Sequence, residues 1–401
     1  MDITSSYPYS QIAYQYPMTK FIKSTEPWTI DEILMFKEFY NRAFLFKARL
    51  SNLRLKNELF GFPYIPTAKL EDYSGITRDN GRVLKADYIE LWTTDIDYEI
   101  ISKEYDYDIE ILEVYISKYG KLPEQIRNII IELFNDKSKL KGVSGSEMQY
   151  ALIKAMLNSI YGLTAQDVGK ALFKFDGDNI YLDFDKTLAD ILSDARKNPY
   201  MAYQWGVWCT AHARRRLHRG LWSVYAQDAE PVYVDTDSIK YIGTAEWDKI
   251  NAECYKVGVT AETVTGKKTT LGTYTFDGHY KRFITYGAKK YAVEDDEGKI
   301  HITIAGVSKK KGAEELTAAG GLEALKEGFT FHEAAGAAAH YNDHELLIIP
   351  YQDHVLELSS NIALTRSAYT LGLTGEYENI VYDSRLLANA KASIDLLFQT
   401  I

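Results

Sequence analysis

The sequence has few cysteines, no signal-peptide pattern in its opening residues and no membrane-length apolar run. Its 401 residues include only two cysteines, Cys209 and Cys254, which form no metal-type spacing. This usage predicts a reducing compartment and no structural disulfides. No apolar run approaches the roughly 18 residues of a membrane span. The opening residues, Met-Asp-Ile-Thr-Ser-Ser, have neither a basic n-region nor an apolar h-region, so we expect a cytoplasmic protein without a membrane partner.

A positive net charge, common in nucleic-acid-binding proteins, is also absent. The formal net charge is −10, which reduces nonspecific affinity for a polyanion. The distribution is uneven, because ten acidic residues and one lysine lie between positions 87 and 113. An acidic surface there suits a protein partner better than DNA. The 214–219 cluster is either a phosphate-facing patch or a solvated helix face. The other basic clusters are at Lys137, Lys139 and Lys141, at 281–282 with 289–290, and at 309–311.

Two carboxylates lie close together in the segment Asp235-Thr236-Asp237. Short β-type runs at 232–234 and 239–242 flank this segment, a pattern that predicts a hairpin whose turn carries both acids. Carboxylates held this close repel each other unless a cation neutralises them. Oxygen ligands of this kind suit Mg²⁺, which shares its coordination shell with waters and substrate phosphates. The segment therefore predicts phosphoryl transfer.

A second group of polar side chains lies on a predicted helix over 149–162. At about 100° per residue, Lys154, Asn158 and Tyr161 share one face of that helix. An ammonium, an amide and a phenol ring suit a nucleotide triphosphate with a stacked base or sugar. An ordinary amphipathic helix with a solvated stripe has the same pattern, so the helix alone leaves both interpretations open. The opposite, packing face would carry Ile153, Met156 and Ile160.

Three motifs, in this order, resemble the polymerase motifs of family B DNA polymerases. The first runs from Asp2 to Tyr7-Pro8, where the family has Asp-x-x-Ser-Leu-Tyr-Pro, so Ser6 replaces the usual leucine. The second is Lys-x-x-x-Asn-Ser-x-Tyr-Gly over 154–162, and the third is Tyr-x-Asp-Thr-Asp-Ser over 233–238. The second and third match at every defined position, and chance would rarely produce all three in order.

The resemblance implies a site for two-metal phosphoryl transfer. Asp2 and Asp237 look like the carboxylates that hold two Mg²⁺ ions, for which Mn²⁺ is an alternative, and Asp235 looks like the supporting acid beside them. Tyr7 looks like a sugar gate, since a ring packed beneath C2′ leaves no room for a ribose hydroxyl. Lys154 looks like a triphosphate ligand. Asn158 and Tyr161 would line the nucleotide pocket.

Further phosphate and DNA contacts follow from the same resemblance. Lys141 is the nearest match to another phosphate-binding base that family members carry before the second motif. A solvated basic loop is the alternative for this segment. Gly287-Ala-Lys-Lys-Tyr291 resembles the family's Lys-x-Tyr element, which contacts the primer strand. The DNA-binding residues implied in this way are Ser5, Ser159, Gly162, Thr236, Lys289 and Tyr291.

The implied fold is α+β: a right-hand polymerase with an antiparallel palm sheet, helical fingers and a mostly helical thumb. Residues 1–30 and 203–306 would form the palm, 123–162 the fingers and 307–401 the thumb. The remaining segments, 31–122 and 163–202, resemble insertions of protein-primed bacteriophage polymerases. In those enzymes the first insertion docks the terminal protein, and the second supports strand displacement and processivity. The expected partners are primer-template DNA, dNTPs and a terminal protein, in the cytoplasm of an infected bacterial host.

Family members normally carry a 3′–5′ exonuclease domain ahead of the first motif. Here Asp2 follows the initiator methionine directly. A separate exonuclease chain, a truncated gene product and a naturally reduced enzyme are three explanations. The main functional alternative is a catalytically weak replication accessory without an exonuclease, which binds primer-template DNA or terminal protein. A weaker alternative is another nucleotidyltransferase of the palm type, such as an RNA-templated one.

Local patterns also predict secondary structure along this chain, whose length favours two or three subdomains. Helices are expected from about 28 to 60, from Pro123 onward and from 202 to 227. Ser144 and Glu147 have the spacing of a capping box, and Gly162 is placed to end the following helix. We further expect a hairpin near 175–181, strands over 267–306, and mostly helices from Lys309 to the end.

Overall fold

The structure, a computed structural model, divides the chain into two compact units. The first comprises Met1–Gln166 and Asn198–Phe276, and the second comprises Asp167–Lys197 and Asp277–Ala390. The residues that the structure describes are 1–56, 62–79, 81–165, 172–176, 179–183, 190, 193, 202–287, 289–305, 307–327, 329–331, 338–342, 345–349, 369–371 and 380–381.

Helices contribute to both units. The helices of the first unit are α1 Ser6–Ala13, α2 Ile30–Tyr40, α3 Asp95–Glu104, α4 Glu124–Leu140, α5 Glu147–Thr164, α6 Tyr203–Tyr225 and α7 Asp248–Val257, with a 3₁₀ turn at Thr67–Lys69. Those of the second unit are α8 Lys309–Ala318 and α9 Leu322–Glu327. No helix in the described part of the chain is both long enough and apolar enough to cross a membrane.

Strands form antiparallel sheets in each unit. Those of the first unit are β1 Asp2–Ile3, β2 Tyr16–Pro17, β3 Ile22–Lys23, β4 Arg42–Leu55, β5 Leu70–Ser74, β6 Thr77–Asp79, β7 Arg82–Thr94, β8 Tyr105–Gly120, β11 Glu230–Asp235, β12 Ser238–Ile242, β13 Thr260–Glu262, β14 Lys268–Thr270 and β15 Tyr274–Thr275. Those of the second are β9 Leu172–Asp176, β10 Asn179–Asp183, β16 Tyr280–Thr285, β17 Lys290–Asp295, β18 Ile300–Ile304, β19 Phe329–Phe331, β20 Ala338–Asn342, β21 Glu345–Ile349, β22 Tyr369–Leu371 and β23 Ile380–Val381.

The predicted helix over 28–60 is wrong for residues 42–55, which form a strand of the first unit's large sheet. Its strand order is β2-β8-β4-β7-β5, with β3 on β8 and β6 on β7. Helix α2 begins with a true capping box between Thr29 and Glu32, but it ends at Asn41, whose φ of 52° is left-handed. Beyond that point the buried side chains alternate, as Phe44 and Phe46 show. A period of two builds a strand with one buried face, so the chain continues as β4.

Helices α4 and α5 pack against each other and partly correct the prediction for 123–162. Pro123 is the N-cap of α4, one residue before the first-turn position that the sequence suggested for it. The predicted capping box at Ser144 is wrong, because α5 begins at Glu147. Ser146 occupies its N-cap, and the Ser146 hydroxyl donates to backbone carbonyls of the preceding turn. Gly162 lies inside α5, which continues to Thr164.

A smaller sheet packs on α6 and carries the acidic hairpin. Its strand order is β11-β12-β1-β15. Ile3 and Ile239 are buried in one apolar cluster with Leu217 and Leu221 of α6. Because successive side chains of a strand alternate between faces, the neighbours of these isoleucines turn away from α6. The predicted helix over 202–227 and the predicted hairpin at 230–243 are both confirmed.

The second unit contains the sheet β18-β17-β16-β23. The strands predicted over 267–306 are present, and β9 pairs with β10 as expected for the hairpin near 175–181. Residues 177–178 of its predicted turn lie outside the described residues. Helices α8 and α9 follow Lys309, but the described residues from Phe329 onward form short strands. The prediction of mostly helices to the end is therefore wrong for the described part of this region.

Candidate active site

The strand that carries Asp2 lies directly beside the acidic hairpin. Strand β1 pairs with β12 on one side and with β15 on the other. The Ile3 amide donates to the Asp237 carbonyl at 2.8 Å, and the Ile239 amide donates to the Met1 carbonyl at 2.9 Å. Residues from opposite ends of the first unit's sequence thus share one hydrogen-bonded ladder, as the motif order required.

The register of these strands aligns acids and hydroxyls in one row. Ser238 lies opposite Asp235 on β11 and opposite Asp2 on β1, and Asp2 lies opposite Thr275 on β15. Residues directly opposite in antiparallel strands point to the same face. With strands about 4.8 Å apart, the Asp2 and Asp235 backbones are separated by about 10 Å. All the acids of this region are partly exposed.

A tight turn presents Asp237 next to that row. Thr236 has a left-handed φ of 48°, a conformation that costs a β-branched residue roughly 1–2 kcal/mol. The turn is closed by the Asp237 amide, which donates to the Asp235 carbonyl at 2.5 Å. The Thr236 hydroxyl also donates to an Asp235 carboxylate oxygen at 2.9 Å. Strain of this kind persists where the surrounding structure fixes it, often at functional sites.

The donor set of this region suits magnesium that is completed by substrate. The hairpin and β1 supply carboxylate oxygens, the ligands that Mg²⁺ prefers. No group of three or more His, Cys, Asp or Glu side chains in the described part of the chain could hold a metal ion. Mg²⁺ usually takes only one or two carboxylates and fills its shell with waters and phosphates. The carboxylates of Asp2 and Asp237 are therefore suitable ligands for Mg²⁺ whose remaining ligands are waters and substrate phosphates.

Two tyrosines from different motifs stack on each other. The rings of Tyr7 and Tyr161 have centroids 4.4 Å apart and an interplanar angle of 28°. The thiol of Cys209, on α6, lies 3.7 Å from the Tyr7 carbonyl oxygen. Burial raises the pKa of Tyr7 to about 12, and nearby Tyr161 and Asp237 contribute to the rise. The stack thus lies within electrostatic range of the acidic turn, and both hydroxyls stay neutral at physiological pH.

Helix α5 displays its predicted polar face with one correction. Lys154 and Asn158 are exposed, and Tyr161 is half-buried by its stack with Tyr7. Met156, predicted to lie on the packing face, is 47% exposed, whereas Leu157 is fully buried. The packing face is centred one residue later than the sequence suggested, and so Met156 faces solvent.

Sequence reasoning missed Lys137, which reaches the first motif from α4. Its Nζ donates to the Ser5 hydroxyl at 2.7 Å. The pKa of Lys137 falls to about 8, chiefly because of burial and then because of the positive charges of Lys154 and Lys141. Asp2 acts in the opposite direction. Lys141, the residue selected from the sequence, is exposed at the C-cap of the same helix. The sequence signal that could have identified Lys137 is its spacing of one helical turn from Lys141.

The other predicted DNA contacts occupy varied positions. Ser5 is the N-cap of α1 and Thr236 is exposed in the acidic turn. The Ser159 hydroxyl donates to the Met156 carbonyl of its own helix at 2.8 Å, and Gly162 is exposed in the last turn of α5. Lys289 and Tyr291 belong to the second unit, where Tyr291 pairs with Thr285 and Thr303 in the β16-β17-β18 sheet.

The arginine cluster at 214–219 is neither the phosphate-facing patch nor the solvated helix face that the sequence suggested. Arg214 forms two hydrogen bonds with Asp97, at 3.0 and 2.7 Å. Arg215 and Arg219 both bind Glu99, at 3.1 and 2.8 Å. Because these cations pair with acids of α3, they fasten α6 to that helix. The cluster is a structural clamp inside the first unit, not a free phosphate-facing patch or a solvated helix face.

The acidic tract at 87–113 is likewise corrected by its ion pairs. Buried Asp95 pairs with a side chain of α2, and buried Asp97 and Glu104 pair with side chains of α6. The remaining pairs cross between strands of the large sheet, where opposite charges face each other. They are Lys47 and Arg49 with Glu90, Arg49 with Glu110, Arg54 with Asp106, and Lys23 with Glu113. Cations of the first unit thus pair with most of the acids in this tract.

Comparison with known proteins identifies the fold. No protein-family model and no curated protein matches the chain. A structure of phi29 DNA polymerase complexed with primer-template DNA and incoming nucleotide substrates matches with a TM-score of 0.58 and 20% identity, over 87% of this chain and 56% of that one. Phi29 DNA polymerase complexed with single-stranded DNA matches with a TM-score of 0.56 and 19% identity, over 92% of this chain and 57% of that one. The chain thus spans little more than half the length of these structures, and over most of its own length it has their DNA polymerase fold.

Proposed function

We propose that this chain is a template-directed DNA polymerase, which adds deoxynucleotides to a 3′-hydroxyl end by phosphoryl transfer. One observation supports the proposal above all others: strand β1 places Asp2 beside the turn of Asp235 and Asp237. The fold likeness adds to it, because the matched phi29 structures hold primer-template DNA and incoming nucleotides. Primer-template DNA and dNTPs are accordingly the proposed partners.

In the proposed mechanism the acids act as ligands. Asp2 and Asp237 would hold two Mg²⁺ ions, or Mn²⁺ in their place, with Asp235 as the supporting acid. When bound, such a pair of ions stabilises the attacking 3′-oxygen and the leaving pyrophosphate of an in-line displacement. Lys154, on the exposed face of α5, attracts the triphosphate and offsets the charge that develops on it. Lys141 is a further candidate for phosphate binding.

The tyrosine stack supports selection of the sugar. Tyr7 is in the first turn of α1, and its ring stacks on the ring of Tyr161. The negative charge of Asp237 contributes to the raised pKa of Tyr7. A rigid ring at this place would exclude a 2′-hydroxyl by steric clash, since stacked aromatic side chains have few alternative positions. Asn158 would line the same pocket one turn before Tyr161. The direct DNA contacts proposed for Ser5, Ser159, Gly162, Thr236, Lys289 and Tyr291 belong to the same proposal.

We also propose membership of the protein-primed subgroup of family B. In this proposal a terminal protein docks on residues 31–122, and its hydroxyl primes synthesis in the cytoplasm of an infected bacterium. The supporting observations are the phi29 fold likeness and the long β4-β7-β8 insertion between the first two motifs.

Primer extension by Asp237→Ala tests the proposed function. We expect wild-type protein to extend a primed template with Mg²⁺ and dNTPs, and Asp237→Ala to lose at least about a thousandfold in rate, as expected when a charge-stabilising group is removed. DNA binding, measured by fluorescence anisotropy, should remain. Glu26→Gln, at an exposed position outside the site, is the matched control and should extend normally. Wild-type protein that binds DNA without extending it, with or without an exonuclease partner, would contradict the proposal and favour an accessory role.

A further inference from the structure

A contact from another helix holds the turn between β1 and α1. Ser5 has φ 56° and ψ 65°, a left-handed conformation that costs a residue with a Cβ more than it costs glycine. Ser5 is the N-cap of α1, but its side chain makes no capping hydrogen bond. Its hydroxyl accepts from Nζ of Lys137 at 2.7 Å instead. The side chain that would usually cap its own helix is thus used to bind α4.

The conformation of this turn sets the relative positions of two proposed functional residues. Asp2 lies in β1 and Tyr7 in the first turn of α1, so the backbone angles of Ser5 fix the direction of α1 relative to β1. Backbone bonds hold both sides of the turn: the Thr4 amide donates to the Thr273 carbonyl, and the Tyr9 amide donates to the Ser5 carbonyl, both at 2.9 Å.

Helix α4, which carries Lys137, is held in place by buried side chains. Its Ile130 and Phe134 are fully buried, and the Lys137 ammonium lies 5.1 Å from the centre of the Phe134 ring. The charged groups that face this ammonium are Lys141 from its own helix, Lys154 from α5 and Asp2 from β1. Two cations against one acid make an unfavourable place for a buried ammonium.

We propose that Lys137 is a positioning residue that acts through Ser5 and holds the turn so that Asp2 and Tyr7 are presented together before a nucleotide arrives. The kinetic consequence of this inference rests on the proposed polymerase function. Its structural consequence does not, because the contact exists in the protein without any ligand.

Hydrogen–deuterium exchange of the nucleotide-free protein tests the structural consequence. In Lys137→Gln we expect the backbone amides of Ser6, Tyr7, Tyr9 and Ser10 to exchange about tenfold faster, since the left-handed turn loses its restraint. Lys139→Gln is the matched control. Lys139 is on the same helix, its side chain is 67% exposed and it pairs only weakly with Asp136 at 3.5 Å, so exchange in this variant should equal wild type. Unchanged exchange in Lys137→Gln would overturn the proposal.

A rescue experiment separates positioning from direct contact with the nucleotide. We expect Lys137→Gln to lower kcat for primer extension about tenfold with little change in the KM for dNTP, because small misplacements of reacting groups slow the chemical step. At saturating primer-template, where a weaker DNA contact of Ser5 does not limit the rate, adding Ser5→Gly in that background should restore most of the lost kcat, since glycine adopts the left-handed turn without restraint. A double variant as slow as Lys137→Gln, with a raised KM in both, would assign Lys137 to the triphosphate and overturn the proposal. If wild-type protein extends no primer, the proposed function fails, and the exchange measurement still decides the role of Lys137.

Discussion

At the residue scale, the structure brings the acids of the first and third motifs together, but motif spacing could not select between neighbouring lysines. Asp2, Asp235 and Asp237 lie in one row or beside it, as the order of the motifs suggested. Lys137 was missed because residues 135–140 look like a basic loop, whereas α4 continues to Leu140. Which lysine of a helix reaches a neighbouring turn depends on how the helix packs, and spacing alone does not contain that information.

The ring of Tyr7 leads to a prediction about sugar selection. In Tyr7→Ala the loss of the stacked ring opens space beside Tyr161, so we expect ribonucleotide incorporation relative to deoxynucleotide incorporation to rise about tenfold or more, the range for steric discrimination in a pocket. Primer extension with matched rNTP and dNTP measures this ratio. Tyr7→Phe keeps the ring and should keep the discrimination. An unchanged ratio in Tyr7→Ala would remove the gating role.

At the scale of elements, local patterns predicted α4, α6 and the acidic hairpin, but they missed the strands of the large sheet. Pro123 and the run over 202–227 marked α4 and α6 correctly. Residues 42–55 were predicted as helix because they follow α2 without a glycine or proline. They form a strand because β7 and β8 pair with them on both sides. Those partners come from 82–120, and such long-range pairing overrides local propensity.

The buried hydrogen bonds between Glu104 and side chains of α6 lead to a stability prediction. The Glu104 carboxylate, 3% exposed, accepts hydrogen bonds from His218 at 2.6 Å, Trp222 at 3.1 Å and the Tyr64 amide at 2.9 Å. Glu104→Ala leaves these buried donors unpaired, so we expect the free energy of unfolding to fall by about 3–5 kcal/mol.

Urea unfolding followed by circular dichroism measures this change. The control is Glu110→Ala, in the same acidic tract, whose carboxylate is 62% exposed and binds Arg49 at 3.4 Å. An exposed pair of this kind contributes at most about 1 kcal/mol. Equal losses in the two variants would show that the Glu104 network does not fasten α6 as described.

At the scale of the whole molecule, the site depends on segments that are remote in sequence. Strands β11 and β12 lie beside β1 in the smaller sheet, although the large sheet, the α4–α5 pair and α6 separate them from β1 in the sequence. The order of the motifs predicted that these strands would lie together, and the DNA polymerase fold agrees with this arrangement. The ion pairs that neutralise 87–113 and the strands beyond 327 could not be predicted, because cross-strand register and long-range pairing have no local signature.

The central claim is that Asp2 and Asp237 hold the same metal ions. Calorimetric titration of Mn²⁺ into the protein, saturated with a non-hydrolysable dNTP analogue, tests it most directly. We expect Asp2→Asn and Asp237→Asn each to weaken Mn²⁺ binding by at least about tenfold. The double variant should lose less than the sum of the two free-energy changes, as ligands of shared ions do. Wild-type affinity in Asp2→Asn, alongside a loss in Asp237→Asn, would contradict the claim.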